Sequence, residues 1–487
     1  GVAKLSRAVG YHTDIYGTEG RSVYATPGGV RNELTLNGGQ ACLIFREKKD
    51  IVIDLRGAEL FTETYAQGII DLYKCENVTI IGGKLTGGAY IRSTGEYKWI
   101  PLDGTTGRGE KGYTTKGFNT TSLIPDIGTS RNNQFITQNQ TAGGYGGQFP
   151  QFDGTTSTKW GVWRGGQIGT QGYAICVIGG RNIEISHTET HGFNGGSFIL
   201  GIQRTLDGSK SFARISTPES REYTPQLVNI HDNYLHDNYA GGCHMERAIQ
   251  VVFRDNLVIR MGHPNASVAH EFVDPGYGFA TSRAMPCFDY DVSNNTFTSC
   301  YRKGIDTHQG TGFRLSGNKI WGTKYHGIGI AVDDDFADVH YQPYFDHFAI
   351  VENNEITAHT CGIFYSNGEF GRARREDAKK LWEQLHVVID GNVIRSNVGF
   401  YFNYGHSPFK IINNTFMYAA LFANEKVPTV PFRASGIYIG SLNRGLVSGD
   451  IISNNTFTNS KDGNFADFII VEAASNQTKG MIITQNV

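Results

Sequence analysis

The sequence predicts an all-β chain wound as a right-handed parallel β-helix with long loop insertions, and three observations predict it. Short apolar runs of period two recur along the chain, each run ends at a polar turn carrying Asn, and the spacing of those Asn has a minimum of one coil. The segments VNIHDNYL, VVFRDNLV, DVSNNTF, FRLSGNKI, IVENNEI, VVIDGNVI, KIINNTF and DIISNNTF share this template. Their corner residues are Asn233, Asn256, Asn295, Asn318, Asn354, Asn392, Asn414 and Asn455. The separations are 23, 39, 23, 36, 38, 22 and 41 residues, so the shortest mark a bare coil and the others a coil with an insertion.

The alternating runs are β-branched and aromatic, which suits a strand with one face buried. Asn at the corner can adopt left-handed backbone geometry, bond its own turn and bond its counterpart in the next coil. An antiparallel sandwich also has many short strands, but nothing in it would repeat one corner residue at coil spacing. Weaker copies lie around Asp50, Asn77 and Asn182. Residues 1–40 read as a lead-in or cap and residues 41–487 as the solenoid. Two stretches break the rhythm: about 97–163, rich in Gly, Thr, Gln and aromatics, and 369–384, whose mixed charges make it the one helix candidate.

Composition narrows the function. Of 487 residues 62 are Gly, 13 Pro and 18% charged, which argues against disorder and coiled coil. Lys and Arg number 44 against 46 Asp and Glu, a net charge of −2 that offers no electrostatic footprint for nucleic acid. The 24 Tyr and 29 Phe fill cores and also suit the flat apolar faces of sugars. Seven Cys without a CxxC pair argue against zinc and disulfides, and Cys243, Cys300 and Cys361 read as small buried hydrophobes. No run of 18 apolar residues is present, so no membrane span is expected. Opening at Gly1 without Met, the sequence reads as a mature or trimmed product.

The chemistry is sought on the strand after each corner, in GGCHMERAI, GYGFATS, KGIDTHQG, HGIGIAV, CGIFYSNG, VGFYFNYG and SGIYIGS. Strict alternation predicts an inward column of Cys243, Tyr277, Ile305, Ile328, Ile363, Phe400 and Ile437, and a second of Met245, Phe279, Thr307, Ile330, Tyr365, Phe402 and Ile439. Outward then stand His244 and Glu246, a small coil of Gly278 and Ala280, then Asp306 and His308, with Tyr401 further along. Glu246 and Asp306, two coils apart, would be on the order of 9 to 10 Å apart at Cα, within reach of an inverting glycosidase's acid and base. His244 and His308 would orient water or tune those carboxyls. Asp333, with Asp334 and Asp335, could supply a groove carboxylate or hold Ca²⁺. Arg302 and Lys303 precede Asp306, and Lys303 could act as a base on a uronate, with Tyr301 and Lys324 weaker candidates.

The corner-Asn coils and the KGIDTHQG strand resemble the pectin-lyase-like β-helix superfamily from about Ala41 to Val487. Within it the low charge and the Gly- and aromatic-rich insertion look like bacteriophage tailspike or capsule-depolymerase domains. That resemblance implies a homotrimer, extracellular or on a virion tail, acting on a bacterial surface polysaccharide. GIDTH is also similar to the Asp-Pro-His strand motif of mannuronan epimerases and alginate lyases, which implies roles for Asp306 and His308 at a uronate; Thr307 replaces the proline and Lys303 a tyrosine. The leading expectation is an endo-acting glycoside hydrolase using Glu246, Asp306, His308 and His244, with Arg302, Lys303, Gly278, Ala280, Tyr401 and Asp333 binding substrate and no cofactor beyond that Ca²⁺. A polysaccharide lyase and a non-catalytic glycan-binding adhesin are the alternatives.

Overall fold

The computed structural model describes residues 41–97 and 173–487, less the stretches 63–67, 202–221, 263–275, 282–286, 333–347, 368–385, 405–407, 420–432, 441–448 and 473–479 and some single or paired positions, among them 308–309. The expected lead-in, the bulk of the 97–163 insertion and the 369–384 helix candidate lie outside the described residues. The chain is a right-handed parallel β-helix. Its strands form three parallel sheets of 12, 12 and 11 strands, and each coil contributes one strand to each sheet in turn. We call these sheet A, starting at Leu43–Arg46, sheet B, starting at Lys49–Asp54, and sheet C, starting at Glu59–Phe61. A single apolar column fills the interior, with Val78, Ile183, Val228, Val251, Tyr290 and Phe313 among its sheet B members.

The corner asparagines lie between sheets B and C, and they are buried. Asn318 is representative. Its Oδ1 accepts from the backbone N and from Nδ2 of Asn295 at 3.0 and 3.1 Å, and its own Nδ2 donates to Asn354 Oδ1 at 3.0 Å and to the Val292 carbonyl at 2.8 Å. The same pattern runs from Asn233 through Asn455 and continues to Asn486.

Two details differ from the sequence reading. The left-handed residue is the one before the ladder Asn: Asp232, Asp255, Asn294, Asn353, Asn413 and Asn454 have φ of 54 to 57°, and Gly317 and Gly391 do the same at 64 and 63°. The preceding residue makes the turn, which leaves the ladder Asn free to point inward. Asp50, Asn77 and Asn182 also form a different ladder. They sit at the start of sheet B strands, exposed, with Asn182 donating to Asn77 at 2.9 Å and Asn77 to Asp50 at 2.7 Å.

The HDNYLHDNY segment makes two more coil-to-coil links. His231 has Asp232 on Nδ1 at 2.7 Å and Glu184 on Nε2 at 3.1 Å, and His236 has Asp237 and Glu189 at 2.7 and 3.3 Å. Arg260 grips Asp237 with two bonds of 2.7 and 2.6 Å. Burial raises the Asp237 carboxyl, but its bonds to Arg260 and His236 outweigh this and hold it at about 2. His191 stacks on His236 at 5.0 Å and bonds Thr86 and Tyr97. Burial first, then the charges of His236 and Lys84, push its imidazole down to about 4.

Two measurements check these links. Asn318→Ala strands buried donors and acceptors in both neighbouring coils and should cost about 2 to 4 kcal/mol, read as a fall in melting temperature that Thr296→Ala on the outer face does not reproduce. His191 binds its proton only near pH 4 when folded but near 6.5 when unfolded, so the unfolded chain is favoured as pH falls between those values. The loss should be about 3 kcal/mol, complete near pH 4 and absent above 6.5, and His191→Gln should remove that slope from urea melts run at pH 7, 5 and 4.

Candidate functional site

The outer face of sheet A carries the ionisable groups the sequence singled out, and a column of glycines decides which side chains reach it. Gly278, Gly304, Gly327, Gly362, Gly399 and Gly436 each stand where an added Cβ would lie 2.2 to 2.5 Å from an inward side chain of sheet C. For Gly304 that neighbour is Ile320, and for Gly278 it is Phe297. Only glycine allows the sheet C side chain to cross over the backbone there. The residue after each glycine, such as Ile305, also belongs to the core. Two successive positions therefore face inward, and alternation slips by one. In KGIDT this places Lys303 and Asp306 on the same outer face.

Register then defines two outward columns. One runs Gly241, Tyr277, Lys303, His326, Cys361 and Val398, and the other His244, Ala280, Asp306, Gly329, Phe364, Tyr401 and Tyr438. This corrects one coil of the sequence alignment. Cys243 pairs with Phe279, not Tyr277, and Met245 with Thr281, so Tyr277 faces out. Gly278 is part of the inward glycine column and cannot floor an outer face; Ala280 stands alone between His244 and Asp306. His244 and Asp306 are two coils apart, on the order of 9 to 10 Å at Cα.

Lys303 Nζ donates to Asp306 Oδ1 at 2.7 Å, with the lysine side chain 12% exposed and the carboxylate 1%. Gly329 makes room for this pair, since a Cβ there would lie 2.6 Å from Oδ1 and 3.0 Å from Nζ. Arg302 lies over the Tyr277 ring at 5.1 Å, which puts a second cation beside the first. His244 is buried and its Nδ1 lies 3.2 Å from the Tyr173 hydroxyl. Glu246 follows Met245 at the end of the same strand and is 1% exposed. Tyr401 packs between Phe364 and Tyr438 at ring distances of 5.6 and 5.2 Å, and burial, with Cys361 and Glu472 nearby, pushes its phenol up to about 12. His308, Asp333, Tyr301 and Lys324 lie outside the described residues, and with Asp333 the Ca²⁺ expectation. Among the described residues no group of three or more His, Cys, Asp or Glu is placed to hold a metal ion, and no helix is long and apolar enough to cross a membrane.

Sequence reasoning missed three neighbours. His326 is the register partner of Lys303 and stacks on Phe364 at 4.7 Å with planes 4° apart. Burial holds its imidazole well below the ordinary histidine range; the Lys303 charge adds to this and Asp306 opposes it. Tyr173 and Tyr277 flank His244. The KG and HG dipeptides were the available signal, because a residue before a ladder glycine shares the outer face.

On either side of this polar stretch the outer face of sheet A is largely apolar, with Asp71, fully buried and in register with Cys176, an exception ahead of it. Tyr73, Tyr173, Cys176, Ile178 and Ile199 form one buried cluster ahead of it, and Cys361, Val398 and Tyr438 another beyond it. Cys361 is therefore buried outside the solenoid interior, whereas Cys243 and Cys300 lie within the core.

No family model and no curated protein matches this chain. Among solved structures it is similar to the Dettilon tailspike protein, at 11% identity over 88% of this chain and 61% of the tailspike, with a TM-score of 0.39. It is likewise similar to the A-module of the Azotobacter vinelandii mannuronan C-5 epimerase AlgE6, at 11% identity over 90% of each chain and TM-score 0.40. A third is the Agl-KA catalytic domain, at 13% identity over 91% of this chain and 62% of that one, also with TM-score 0.40. This chain thus spans about three fifths of the length of the first and the third.

Removing the cation from a nearly buried pair leaves a carboxylate in a poor solvent. Lys303→Met should cost about 3 kcal/mol, and adding Asp306→Asn should recover part of it, measured as a coupling energy in a double-mutant cycle of denaturant melts.

Proposed function

We propose that this chain is a polysaccharide-cleaving enzyme, an endo-acting glycoside hydrolase working on the outer face of sheet A. The observation that carries the reading is the Lys303–Asp306 pair seated over Gly329, with His244 two coils away across Ala280. Asp306, bonded to the Lys303 ammonium, is assigned the base that activates water. Glu246, just past the end of the His244 strand, is assigned the acid that protonates the leaving oxygen. His308 and His244 assist, and Arg302 with Lys303 faces the polar side of the sugar. The column continues from Gly329 into Phe364, Tyr401 and Tyr438, a run of rings suited to the apolar faces of successive sugars. A homotrimer acting on a bacterial surface polysaccharide, outside the cell or on a virion tail, completes the proposal.

One observation favours elimination as a second reading. His326 is an imidazole held neutral beside Lys303 and Asp306, and a neutral base next to a cation suits proton abstraction from a uronate. A panel of bacterial surface polysaccharides, followed both by new reducing ends and by the ultraviolet absorbance of an unsaturated product, separates the two. Asp306→Asn should lower the rate by about a hundredfold or more, assayed at a temperature where the variant, weakened by the loss of its ion pair with Lys303, is still folded. Full activity in that variant sinks the assignment of Asp306, and tight binding of intact polymer without new ends makes the protein an adhesin.

A further inference from the structure

The outer face holds a second polar pair, away from Lys303 and Asp306. Tyr173 pairs in register with Gly196, Gly196 lies beside Gly241, and Gly241 pairs with Tyr277. Two successive glycines thus leave a slot between two tyrosines. The His244 imidazole lies in this slot. A Cβ at Gly241 would be 2.7 Å from its Nε2, and the ring meets Tyr173 and Tyr277 edge to face at 5.9 and 6.2 Å. The Tyr173 hydroxyl reaches Nδ1 at 3.2 Å from two strands away.

We infer that Tyr173 is a positioning residue for His244, which it holds through Nδ1 in one tautomer and one orientation so that Nε2 is the working nitrogen. A neutral imidazole has one donor and one acceptor nitrogen, and a phenol donates more strongly than it accepts, so with the Tyr173 hydroxyl donating to Nδ1 the ring proton stands on Nε2. The aromatic walls and the glycine floor fix the plane of the ring. Among the described residues the titratable and charged groups around His244 are Tyr173 and Tyr277, then Arg302 over Tyr277, Lys303 and Asp306 two coils on, Cys176 two coils before, and Glu246 just past the end of its own strand. The catalytic sense of this assignment rests on the function proposed above; the tautomer does not.

The test is nitrogen NMR on protein labelled with ¹⁵N-histidine, with the His244 signals assigned by their loss in His244→Gln. Wild type should show two well-separated His244 nitrogen shifts, those of a single tautomer, and in Tyr173→Phe the two should move toward each other as tautomers mix. Identical shifts in the two proteins overturn the proposal. On a glycan that the wild type cuts, Tyr173→Phe should lower kcat roughly tenfold with KM kept. If Tyr173→Phe does not fold, His244→Gln and His244→Asn decide, because a Gln amide takes the place of Nε2 and an Asn amide that of Nδ1. Gln should retain more activity than Asn, and the reverse order overturns the proposal. A chain that cuts no glycan yet shows the expected shifts keeps Tyr173 in its role and removes the catalytic reading instead.

Discussion

Coil-to-coil register depends on the buried asparagine ladder, and the position of every outer-face group depends on register. From Asn256 to Asn455 each ladder amide accepts twice through its oxygen and donates twice through its nitrogen to the adjoining coils, and Asn392 and Asn414 add a bond to their own turn. Displacing one coil by a residue would leave several of these groups without partners in a low-dielectric interior, at a cost of roughly 1 to 3 kcal/mol each. Apolar burial holds the sheets together but tolerates small shifts, whereas an amide ladder does not. The ladder therefore supplies the specificity that lets His244, Ala280 and Asp306 line up although each comes from a different coil.

The glycine column converts core packing into outer-face chemistry. A branched or aromatic side chain from sheet C, such as Ile320 or Phe297, needs the space where a Cβ would stand, and the backbone answers with two consecutive inward residues. The slip brings Lys303 round to the side of Asp306, three residues on, close enough for a 2.7 Å bond. Under strict alternation Lys303 would point into the apolar interior, where an ammonium has no solvent and no partner. The Lys303–Asp306 pair is thus a consequence of how sheet C packs as much as of the strand that carries it.

Much of the fold was legible because its signals are local and repeated: the period-two runs and the eight corner asparagines each have one reading. The inward columns were also legible, apart from the coil GYGFATS. There two glycine-adjacent aromatics, Tyr277 and Phe279, both look like core residues, and only the inward slip at Gly278 decides that Phe279 enters the core while Tyr277 faces out. His326 was hidden for the same reason, since alternation counted from Ile328 places it inward. The difference between the exposed Asp50–Asn77–Asn182 ladder and the buried one was not legible either. Both are Asn-type columns at turns, and which corner of the coil they occupy depends on pairing between distant strands.

The outer face of sheet A differs energetically from the other two outer faces. On sheets B and C outward charges such as Lys49, Glu76, Arg254 and Asp255 are exposed and in ion pairs, where they cost little and contribute little. On sheet A the outward residues are mostly buried, and two apolar clusters show that this surface accepts hydrophobic side chains readily. Against that background Asp306 and His244, and Glu246 just past the strand, each 1% exposed, are expensive, because apolar residues of similar size would satisfy packing without desolvating a polar group. Folding alone gives no reason to concentrate such groups over a few adjoining coils while the flanking coils, Asp71 apart, are mostly Ile, Phe, Tyr and Val. A chemical task on this face does, and it accounts equally for Gly329, whose missing side chain keeps Asp306 and Lys303 in contact where the flanking coils would place a ring.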